Sequence, residues 1–481
     1  MNRLKVFLVF LIVFELVFIS SFIIGKSKLL YALYKAEIFL KVLERNINIS
    51  QSLKPYYTEY SCRDCNVVLI SIDTLRADHT GFMGYFRNTT PNLDRIAKES
   101  IVFNNAFAQM AITAPSHTSI FTSLYASQHG QLRNELKIND KFIILSEIMK
   151  AKGYETVAFV GDGAVDGILG FSKGFELYDD GNVHFSETIP KAINWVENNK
   201  HKKFFLFIHG YEPHEPYGGG EFSGAFVEEN YSGVFKEYDV IVPTLDILPP
   251  VSQNLSKEDI DYVKAKYDAD IKQADKYIGM FIDKLKEFDI YNKTILVMFS
   301  DHGEFLGEIL IREKSKKNHF GHHDLYDETL HQVLILKTPK IEFPKRIYDV
   351  VSSIDIAPTV LELAGIGKFS QFNGKSLTDV VFAKNHESFS ISESLPDKPN
   401  SVLEISVRTF KWRLIIRDDN FIELYDMEND NKQMKNIGES NKEIVDNLVN
   451  LYLKTVNYEN EKISEPASSD KLTENLRQLG Y

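Results

Sequence analysis

Two carboxylates, one imidazole and one hydroxyl group occupy positions in this sequence where they could bind a divalent cation. Asp73 directly follows the apolar run Val67–Ile72, and Asp301–His302 lie just after the apolar run Thr294–Phe299. In an open α/β sheet, ligands lie beyond the carboxyl ends of the strands, so both groups are expected at one rim. These side chains and the Thr113 hydroxyl suit one divalent cation. Taken singly, either Asp could be an ordinary turn residue at a strand end.

Thr113 lies near the start of the stretch Ile112–Gly130, ITAPSHTSIFTSLYASQHG. Pro115 fits the first turn of a helix, because its missing N–H costs little there. Thr113 would then lie at or just before a helix N-terminus, where free N–H groups and the helix dipole favour a phosphate or sulfate anion. A hydroxyl in that position could act as a nucleophile. Alternatively, Thr113 only caps the helix, since Thr is a good N-cap.

The elements that must position these groups alternate along the chain from Asn66 onwards. Short apolar runs are typical of strands covered by helices on both faces, and they occur at Val67–Ile72, Ile101–Phe103, Thr156–Phe159, Phe204–Ile208, Thr294–Phe299 and Gln332–Leu336. Helical spacing occurs at Asn92–Glu99, Ser116–Leu124, Leu145–Lys152, Thr188–Asn198 and Ser256–Phe288. This alternation predicts an α/β domain with a doubly wound, mostly parallel sheet flanked by helices.

The chain changes character after Ile354–Leu363. Closely spaced runs predict four antiparallel strands and a terminal helix, at Ser388–Ser392, Ser401–Thr409, Trp412–Arg417, Phe421–Tyr425 and Lys442–Val456. We therefore expect a large domain over residues 66–385, a small C-terminal antiparallel α+β subdomain over 386–458 and a polar tail over 459–481. The stretch Gly218–Pro250, rich in Gly and Pro, is predicted to be a long loop that shapes a pocket.

The N-terminal region contains a long apolar run. Val6–Gly25 is apolar apart from Glu15 and two serines, and it has about the 20 residues that a membrane span needs. Arg3 and Lys5 precede it, as in a signal sequence, and no small-x-small cleavage site follows. We expect a transmembrane signal anchor over residues 1–28 and a stalk over 29–65, with the rest of the chain outside the cytoplasm, periplasmic or extracellular. A buried core helix is the alternative, and lysines beyond the run leave the charge balance that sets orientation ambiguous.

Composition argues against one class of partner. The chain has 481 residues, 44% of them apolar, which is enough for a large core. Its net charge of −12 offers no basic excess to neutralise phosphates, so nucleic acid is not an expected partner. Cys62 and Cys65 lack the second pair that a structural zinc site would need. They could form a disulfide or remain two ordinary thiols. The sequence leaves the oligomeric state open.

Five ordered motifs resemble those of the sulfatase family within the alkaline-phosphatase superfamily. The first three are NVVLISIDTLRADH (Asn66–His79), like the opening strand with its metal-binding Asp; TAPSH (Thr113–His117), like the C/S-x-P-x-R nucleophile motif; and SDHGEFLGE (Ser300–Glu308), like the second metal-ligand strand. The other two are HFGHHDLYDE (His319–Glu328), like the His-bearing segment, and ELYDMENDNKQMKNI (Glu423–Ile437), like the C-terminal signature.

The resemblance implies an alkaline-phosphatase-like fold and a metal site. Its ligands would be Asp73, Thr113, Asp301 and His302. We expect one firmly bound divalent cation, and the sequence does not distinguish Mg2+, Mn2+, Ca2+ and Zn2+. A second cation would need a further Asp and two histidines as ligands. No clear D-x-x-x-H pattern that could supply them lies near Glu212.

Three departures from the family pattern point away from ordinary sulfate-ester hydrolysis. Catalytic sulfatases carry Cys or Ser that is oxidised to formylglycine, whereas Thr113 has a methyl group on its carbinol carbon and cannot give that aldehyde. Formylglycine is therefore not expected. Thr74 replaces the second Asp of the paired-Asp signature, and His117 replaces the Arg that helps to hold the nucleophile. A phospho-threonine can be opened by water or another acceptor at phosphorus, so a phosphoester or phosphodiester is the favoured substrate.

The resemblance also implies roles for other side chains. His214, in FIHGYEPHEPY, is similar to the family's leaving-group acid, and a histidine has a suitable pKa for proton transfer near neutrality. His322 is similar to the later active-site position that contacts either substrate oxygens or a second metal, and His323, a candidate substrate contact, is its nearest competitor for that role. His117 is expected beside the nucleophile, and Arg76 and His209 are candidate substrate contacts, although His209 could equally be a packed strand residue. Arg76 could instead support its own loop.

Together these features predict a metal-dependent ester hydrolase or transferase with Thr113 as nucleophile. The substrate would be an anionic ester, a lipid or a glycan. One alternative is a sulfatase that works without formylglycine, and the other is a non-catalytic membrane-anchored binding protein.

Overall fold

A computed structural model describes residues 40–54, 56, 58–161, 163–242, 255–308, 319–341, 343–384, 387–395 and 402–456. The predicted membrane segment Val6–Gly25 and the polar tail 459–481 lie outside the described residues. Among the helices of the described ranges, none is both long and apolar enough to cross a membrane. Residues 40–52, within the predicted stalk, form a helix, and Arg45 on it donates to the Phe142 carbonyl at 2.6 Å and to Glu147 Oε2 at 2.7 Å.

The described ranges contain seventeen strands, of which eleven coincide with predicted apolar runs and six do not. In chain order they are β1 (Leu53–Lys54), β2 (Asn66–Ile72), β3 (Ile101–Phe107), β4 (Glu155–Gly161), β5 (Leu177–Asn182), β6 (Phe204–Gly210), β7 (Thr294–Ser300), β8 (Phe305–Glu308), β9 (His319–Gly321), β10 (His331–Gln332), β11 (Leu334–Lys337), β12 (Lys345–Ser352), β13 (Lys368–Phe369), β14 (Phe389–Ser394), β15 (Glu404–Thr409), β16 (Trp412–Ile416) and β17 (Ile422–Asp426).

The α-helices after residue 52 are Pro91–Ala97, Thr113–Thr122, Ala126–His129, Leu145–Ala151, Phe185–Asn199, Lys257–Glu287, Asp327–Leu330, Ile356–Leu363, Thr378–Val381 and Lys442–Val456. Short 3-10 helices occur at Ala77–His79, Gly81–Met83, Gly167–Leu169, Tyr291–Lys293, Ser353–Asp355 and Gly438–Ser440. The helix Lys257–Glu287 begins as predicted after Ser256, whose hydroxyl accepts from the Asp259 N–H while the Asp259 carboxylate accepts from the Ser256 N–H, a capping box.

The main sheet is mostly parallel, as predicted. Within the described chain it has nine strands, in the order β10-β3-β11-β7-β2-β6-β4-β5, with β12 pairing to β3. β2 runs parallel to both β6 and β7, whereas β11 runs antiparallel to β3 and β7. Apolar side chains of β2, such as Val68 and Leu69, are fully buried on opposite faces of the sheet, because helices cover both faces.

A smaller antiparallel sheet follows, in the order β14-β15-β16-β17. It packs with the helix Lys442–Val456 around a separate apolar cluster that contains Ile405, Leu414 and Leu448. This part of the fold confirms the predicted C-terminal α+β character. Cys62 and Cys65, for which the sequence left two possibilities, form a disulfide just before β2.

Candidate active site

The Asp73 loop begins where β2 ends, at the carboxyl rim of the main sheet. The Asp73 N–H donates to the Gly210 carbonyl at 3.2 Å, which fixes the loop to the end of β6. Thr74 has a φ of 52°, and this left-handed conformation costs a non-glycine residue about 1–2 kcal/mol. Tyr267 supports it, because its hydroxyl donates to the Thr74 carbonyl at 2.7 Å and accepts from the Arg76 N–H at 2.9 Å.

Asp301 and His302 follow β7, the parallel neighbour of β2. Asp301 Oδ1 accepts hydrogen bonds from the N–H groups of Thr74, at 3.1 Å, and of His302, at 2.8 Å. His302 Nδ1 lies 2.9 Å from the Gly303 carbonyl. A carbonyl oxygen can only accept, so Nδ1 carries a hydrogen and Nε2 is the nitrogen that can offer a lone pair to a cation. The imidazole is thus oriented as a metal ligand usually is.

Thr113 is the first residue of the helix Thr113–Thr122, as the position of Pro115 predicted. Its hydroxyl lies 3.3 Å from Asp73 Oδ2 and 3.3 Å from His302 Nε2, and the residue is only 2% exposed. The structure therefore brings together the hydroxyl and both metal-ligand segments, although about 40 and 190 residues of chain separate them.

The helix N-terminus differs from the prediction of several free N–H groups. Pro115 has none, the Ala114 N–H donates to Asn134 Oδ1 at 2.9 Å, and the Ser116 N–H donates to the Ile112 carbonyl at 2.9 Å. An anion at Thr113 would therefore depend on side chains and the helix dipole more than on backbone donors. We did not identify Asn134 from the sequence, because nothing in a single chain signals that a loop amide reaches back to a helix start.

The carboxylates fit a divalent cation. Ligand atoms of Asp73, Asp301 and His302 all lie within 4.8 Å of one another, and all three residues are buried. Asp73 Oδ1 and Asp301 Oδ2 have no hydrogen-bond partner among the described residues, and buried charged oxygens are rarely left so. Burial, with the adjacent charge of Asp73, raises the pKa of Asp301 to about 7. Two buried carboxylates and one imidazole form a donor set that suits a divalent cation.

Three histidines surround the cluster. His209 Nε2 lies 3.3 Å from Asp73 Oδ2. The ring of His322 lies 4.6 Å from that of His302 and 5.6 Å from that of His214, between centroids. Burial would lower the pKa of His214, but the charges of Asp73 and Glu304 and a hydrogen bond to the Glu215 carbonyl raise it to about 9. His214 therefore carries a proton at neutral pH.

His322 has the opposite character. Burial and the neighbouring histidines lower its pKa well below the ordinary value. Its Nδ1 donates to the Ala111 carbonyl at 2.9 Å, so Nε2 of the neutral ring is an acceptor. His323 is held to the same carbonyl through its backbone N–H at 3.1 Å, and its ring lies 4.3 Å from that of His322.

His117 and Arg76 contact the framework of the site. His117 Nδ1 donates to the Thr113 carbonyl at 2.8 Å, and its Nε2 accepts from the Ser71 hydroxyl at 2.8 Å, so His117 ties the helix start to β2. Arg76, predicted as a substrate contact, donates instead to Asp78 Oδ2 at 2.8 Å and to Glu308 Oε1 at 2.7 Å. The alternative reading, support of its own loop, agrees with these contacts.

Glu304 is a second residue that the sequence reasoning missed. It is fully buried, burial raises its pKa to about 8, and His214 is the largest opposing influence. The signal was present, because Glu304 lies only three positions after Asp301 in the motif SDHGEFLGE.

Comparison with protein families decides the classification. The family model described as Sulfatase matches residues 65–366, which is more than half of the chain. The chain belongs to the sulfatase family. A second model, described as N-sulphoglucosamine sulphohydrolase, C-terminal, matches residues 316–458 of this sulfatase-family protein.

Curated relatives of this sulfatase-family protein span most of its length. Arylsulfatase K of Gallus gallus is 24% identical over 450 residues, covering 82% of each chain. Arylsulfatase of Clostridium perfringens is 25% identical over 471 residues, covering 81% of this chain and 94% of the relative. An ulvan-active sulfatase of Formosa agariphila is 25% identical over 350 residues, covering 66% of this chain and 65% of the relative.

Solved structures agree on the fold. Phosphonate monoester hydrolase of Agrobacterium radiobacter has a TM-score of 0.66 at 18% identity, with 84% of this chain and 99% of that chain covered. BT4656 in complex with its substrate D-glucosamine-2-N,6-O-disulfate has a TM-score of 0.67 at 20% identity, with 84% and 100% covered. The protein is thus an ester-hydrolysing enzyme of the sulfatase family with an α/β fold and a possible divalent-metal site.

Proposed function

We propose that this enzyme transfers the phosphoryl group of a phosphate ester to Thr113, and then from Thr113 to water or an acceptor alcohol. Phosphodiesters are the favoured substrates. The observation that carries the proposal is the position of the Thr113 hydroxyl, 3.3 Å from both Asp73 Oδ2 and His302 Nε2. A nucleophile within hydrogen-bonding reach of such groups is the arrangement that covalent catalysis requires. His322 lies beside His302, and the rings of His214 and His323 lie beside that of His322.

In the first step, the Thr113 oxygen attacks phosphorus and the bond from phosphorus to the leaving-group oxygen breaks. The Thr113 proton passes to Asp73 Oδ2, which lies 3.3 Å from the Thr113 oxygen. His214 gives its proton to the departing oxygen, and its raised pKa keeps it charged for that task at neutral pH. A divalent cation at Asp73, Asp301 and His302 would supply charge neutralisation and a lowered pKa for the Thr113 hydroxyl.

In the second step, water or an alcohol attacks phosphorus, the bond from phosphorus to the Thr113 oxygen breaks, and Asp73 returns the proton to that oxygen. His214, now neutral, can accept the proton of the incoming hydroxyl. Sulfur offers a poorer second step here, because Thr113 cannot become the aldehyde hydrate that expels sulfate. The replacement of the family's nucleophile by Thr113 therefore supports phosphorus as the reacting atom.

A sulfatase without formylglycine is the second candidate. It is favoured by the names of the relatives, which include arylsulfatases and an ulvan-active sulfatase. Among the solved structures, BT4656 holds a sulfated glucosamine and BT1596 is described as a 2-O GAG sulfatase. For either chemistry we propose a lipid or glycan ester as substrate, and a location outside the cytoplasm on the membrane anchor predicted at Val6–Gly25.

One experiment separates these functions. Aryl phosphodiester, phosphomonoester and sulfate esters are offered to the purified chain with Mg2+, Mn2+, Ca2+ or Zn2+ in turn, and to its Thr113→Ala variant. Metal-dependent phosphodiester turnover that Thr113→Ala abolishes is the expected result. Sulfate turnover alone would establish the second candidate, and equal turnover by the variant would exclude Thr113 as the nucleophile.

A further inference from the structure

The segment that carries His322 is attached to a different part of the fold from the other residues of the site. Asp73, Thr113, His214 and Asp301 all follow strands of the main sheet or the loop after one of them. His322 instead precedes the short helix Asp327–Leu330, between β9 and β10. Within the described ranges its ring donates one hydrogen bond, to the Ala111 carbonyl at 2.9 Å, so its position depends on what fixes the chain on either side.

Arg417, just after β16, makes the first of two buried links to this segment. Its side chain is 1% exposed, and Nη1 donates to Asp324 Oδ1 at 2.6 Å. The same guanidinium contacts its own sheet, with Nη1 3.0 Å from Glu404 Oε2 and Nε 2.8 Å from Glu423 Oε1. One guanidinium therefore contacts both its own sheet and Asp324, and so joins the sheet to the histidine segment.

Arg413, on β16, makes the second link. It is fully buried, its Nη1 donates to the Leu325 carbonyl at 3.1 Å, and its Nη2 pairs with Asp327. Arg413 and Arg417 together therefore hold both side chains and backbone of the residues directly after His323. A buried cation is tolerated only with well-oriented partners, so such links permit little displacement of the segment.

The same sheet also holds the carbonyl that His322 contacts. The Ser392 hydroxyl donates to the Ala108 carbonyl at 2.6 Å, and the Glu393 N–H donates to the Gln109 carbonyl at 2.8 Å. Ala111 follows two residues later. The acceptor of the His322 hydrogen bond and the chain that carries His322 are thus both attached to β14–β17.

We propose that the C-terminal sheet positions His322 beside His302 through Arg413 and Arg417, which are positioning residues for the reaction at Thr113. The proposal rests on the proposed function, because it assigns His322 a part in turnover. The residues that set the position of His322 then belong to the C-terminal subdomain, which contributes none of the predicted metal ligands.

The test is a double-mutant cycle that starts from the more exposed partner. Asp324→Asn removes the charge that Arg417 contacts and leaves Arg417 its pairs with Glu404 and Glu423. We expect it to lower kcat on an aryl phosphodiester by about 10- to 100-fold, the effect of a displacement of about 1 Å at a reacting group, with a much smaller change in KM. In the His322→Gln background the same substitution should have no further effect, since it acts through His322.

Two further measurements keep the outcome independent of folding and of turnover. The side-chain nitrogen resonances of His322, assigned by comparison with His322→Gln, should move in Asp324→Asn and in Arg417→Lys. Glu393→Gln is the matched control. Glu393 is a buried carboxylate of the same sheet, but it accepts from the Ser127 N–H at 2.7 Å and the Tyr452 hydroxyl at 3.0 Å, so its loss should leave those resonances in place.

Equal losses of kcat from Asp324→Asn in the wild-type and His322→Gln backgrounds would overturn the proposal. Unmoved His322 resonances in both Asp324→Asn and Arg417→Lys would also overturn it. If Thr113→Ala retains full turnover, the proposed function fails, and the resonances then still decide whether the sheet positions His322.

Discussion

The substitution Asp301→Asn should affect stability in opposite directions with and without a divalent cation. Asp301 Oδ1 accepts from two backbone N–H groups, and an amide oxygen can still accept both. Asp301 Oδ2 is buried without a hydrogen-bond partner among the described residues, and its neighbours are His302 Nε2 at 3.5 Å and His117 Nδ1 at 3.7 Å. In the cation-free protein the substitution therefore keeps the two hydrogen bonds and removes one of two buried charges that repel each other.

The magnitude follows from the pKa of Asp301, which burial and the charge of Asp73 raise from 3.8 to about 7. At about 1.36 kcal/mol per pKa unit, keeping Asp301 ionised costs the cation-free folded state on the order of 4 kcal/mol above pH 7. The folded state binds the proton more tightly than the unfolded chain, so stability falls as pH rises from about 4 to about 7. Asp301→Asn should remove this loss and raise the melting temperature at pH 8 by several degrees.

With a cation well above about 1,000 times its Kd the order reverses. A ligand that binds only the folded state stabilises it by about 4.1 kcal/mol at 1,000 times its Kd, which offsets the cost of ionising Asp301, and by more at higher concentration. Thermal unfolding in EDTA and in millimolar Mn2+ or Mg2+, at pH 5 and pH 8, measures both effects. We expect the wild type to gain stability from the cation at pH 8 and Asp301→Asn to gain little.

Asp275→Asn is the matched control. Asp275 is a buried Asp whose pKa burial also raises, to about 6, but it accepts from the N–H groups of Asn92 and Leu93. Its substitution should leave the response to the cation unchanged. The reasoning is refuted if cation-free Asp301→Asn is less stable than the wild type at pH 8 and still responds fully to Mn2+.

Three further predictions concern single side chains. Thr113→Ser should retain turnover, whereas Thr113→Ala should lose at least about 10³-fold, with acid-quenched mass spectrometry detecting a covalent adduct only in the proteins that have the hydroxyl. Although burial opposes it, the charge of Asp73 raises the pKa of His214 to about 9 without a cation. A cation on Asp73 offsets that charge, so kcat/KM should fall as pH rises in a range at or below about pH 9. His214→Asn should abolish this fall of kcat/KM at alkaline pH. It should also lower the rate by about 10²- to 10⁴-fold on esters with poor leaving groups, but have little effect on 4-nitrophenyl esters. Arg76→Met should lower the free energy of unfolding by about 3–5 kcal/mol, since it breaks a buried pair with Glu308. A change in KM without lost stability would instead support the prediction that Arg76 contacts the substrate.

Much of the fold could be predicted because its strands are apolar on both faces. Val67–Ile72 became β2 with one residue added, and the helix predicted over Ser256–Phe288 occupies Lys257–Glu287. The polar edge strand β5, LYDDGN, was missed because its sequence is typical of a turn. β12 was missed because the charged residues of KRIYDVVS interrupt its apolar pattern at the edge of the sheet.

The direction of a strand could not be predicted either. The run Gln332–Leu336 predicted one strand, but the structure divides it into β10 and β11, and β11 runs antiparallel to its neighbours. An apolar run specifies burial, whereas direction depends on how the connecting segments return to the sheet. The same limit applies to the site, where strand ends indicated Asp73 and Asp301 but nothing local indicated that Asn134 or Ser71 would contact the Thr113 helix.

The attachment of the His322 segment to β14–β17 has a consequence for biosynthesis. Residues 389–426 are made after every predicted metal ligand, and a growing chain that has not yet formed β16 lacks both arginines. Such a chain could already gather Asp73, Thr113 and Asp301 at the rim of the main sheet, but without the link to His322 its turnover would be lower by at least about 10- to 100-fold. A ribosome-stalled series of lengths should therefore gain full turnover only once β17 has been released.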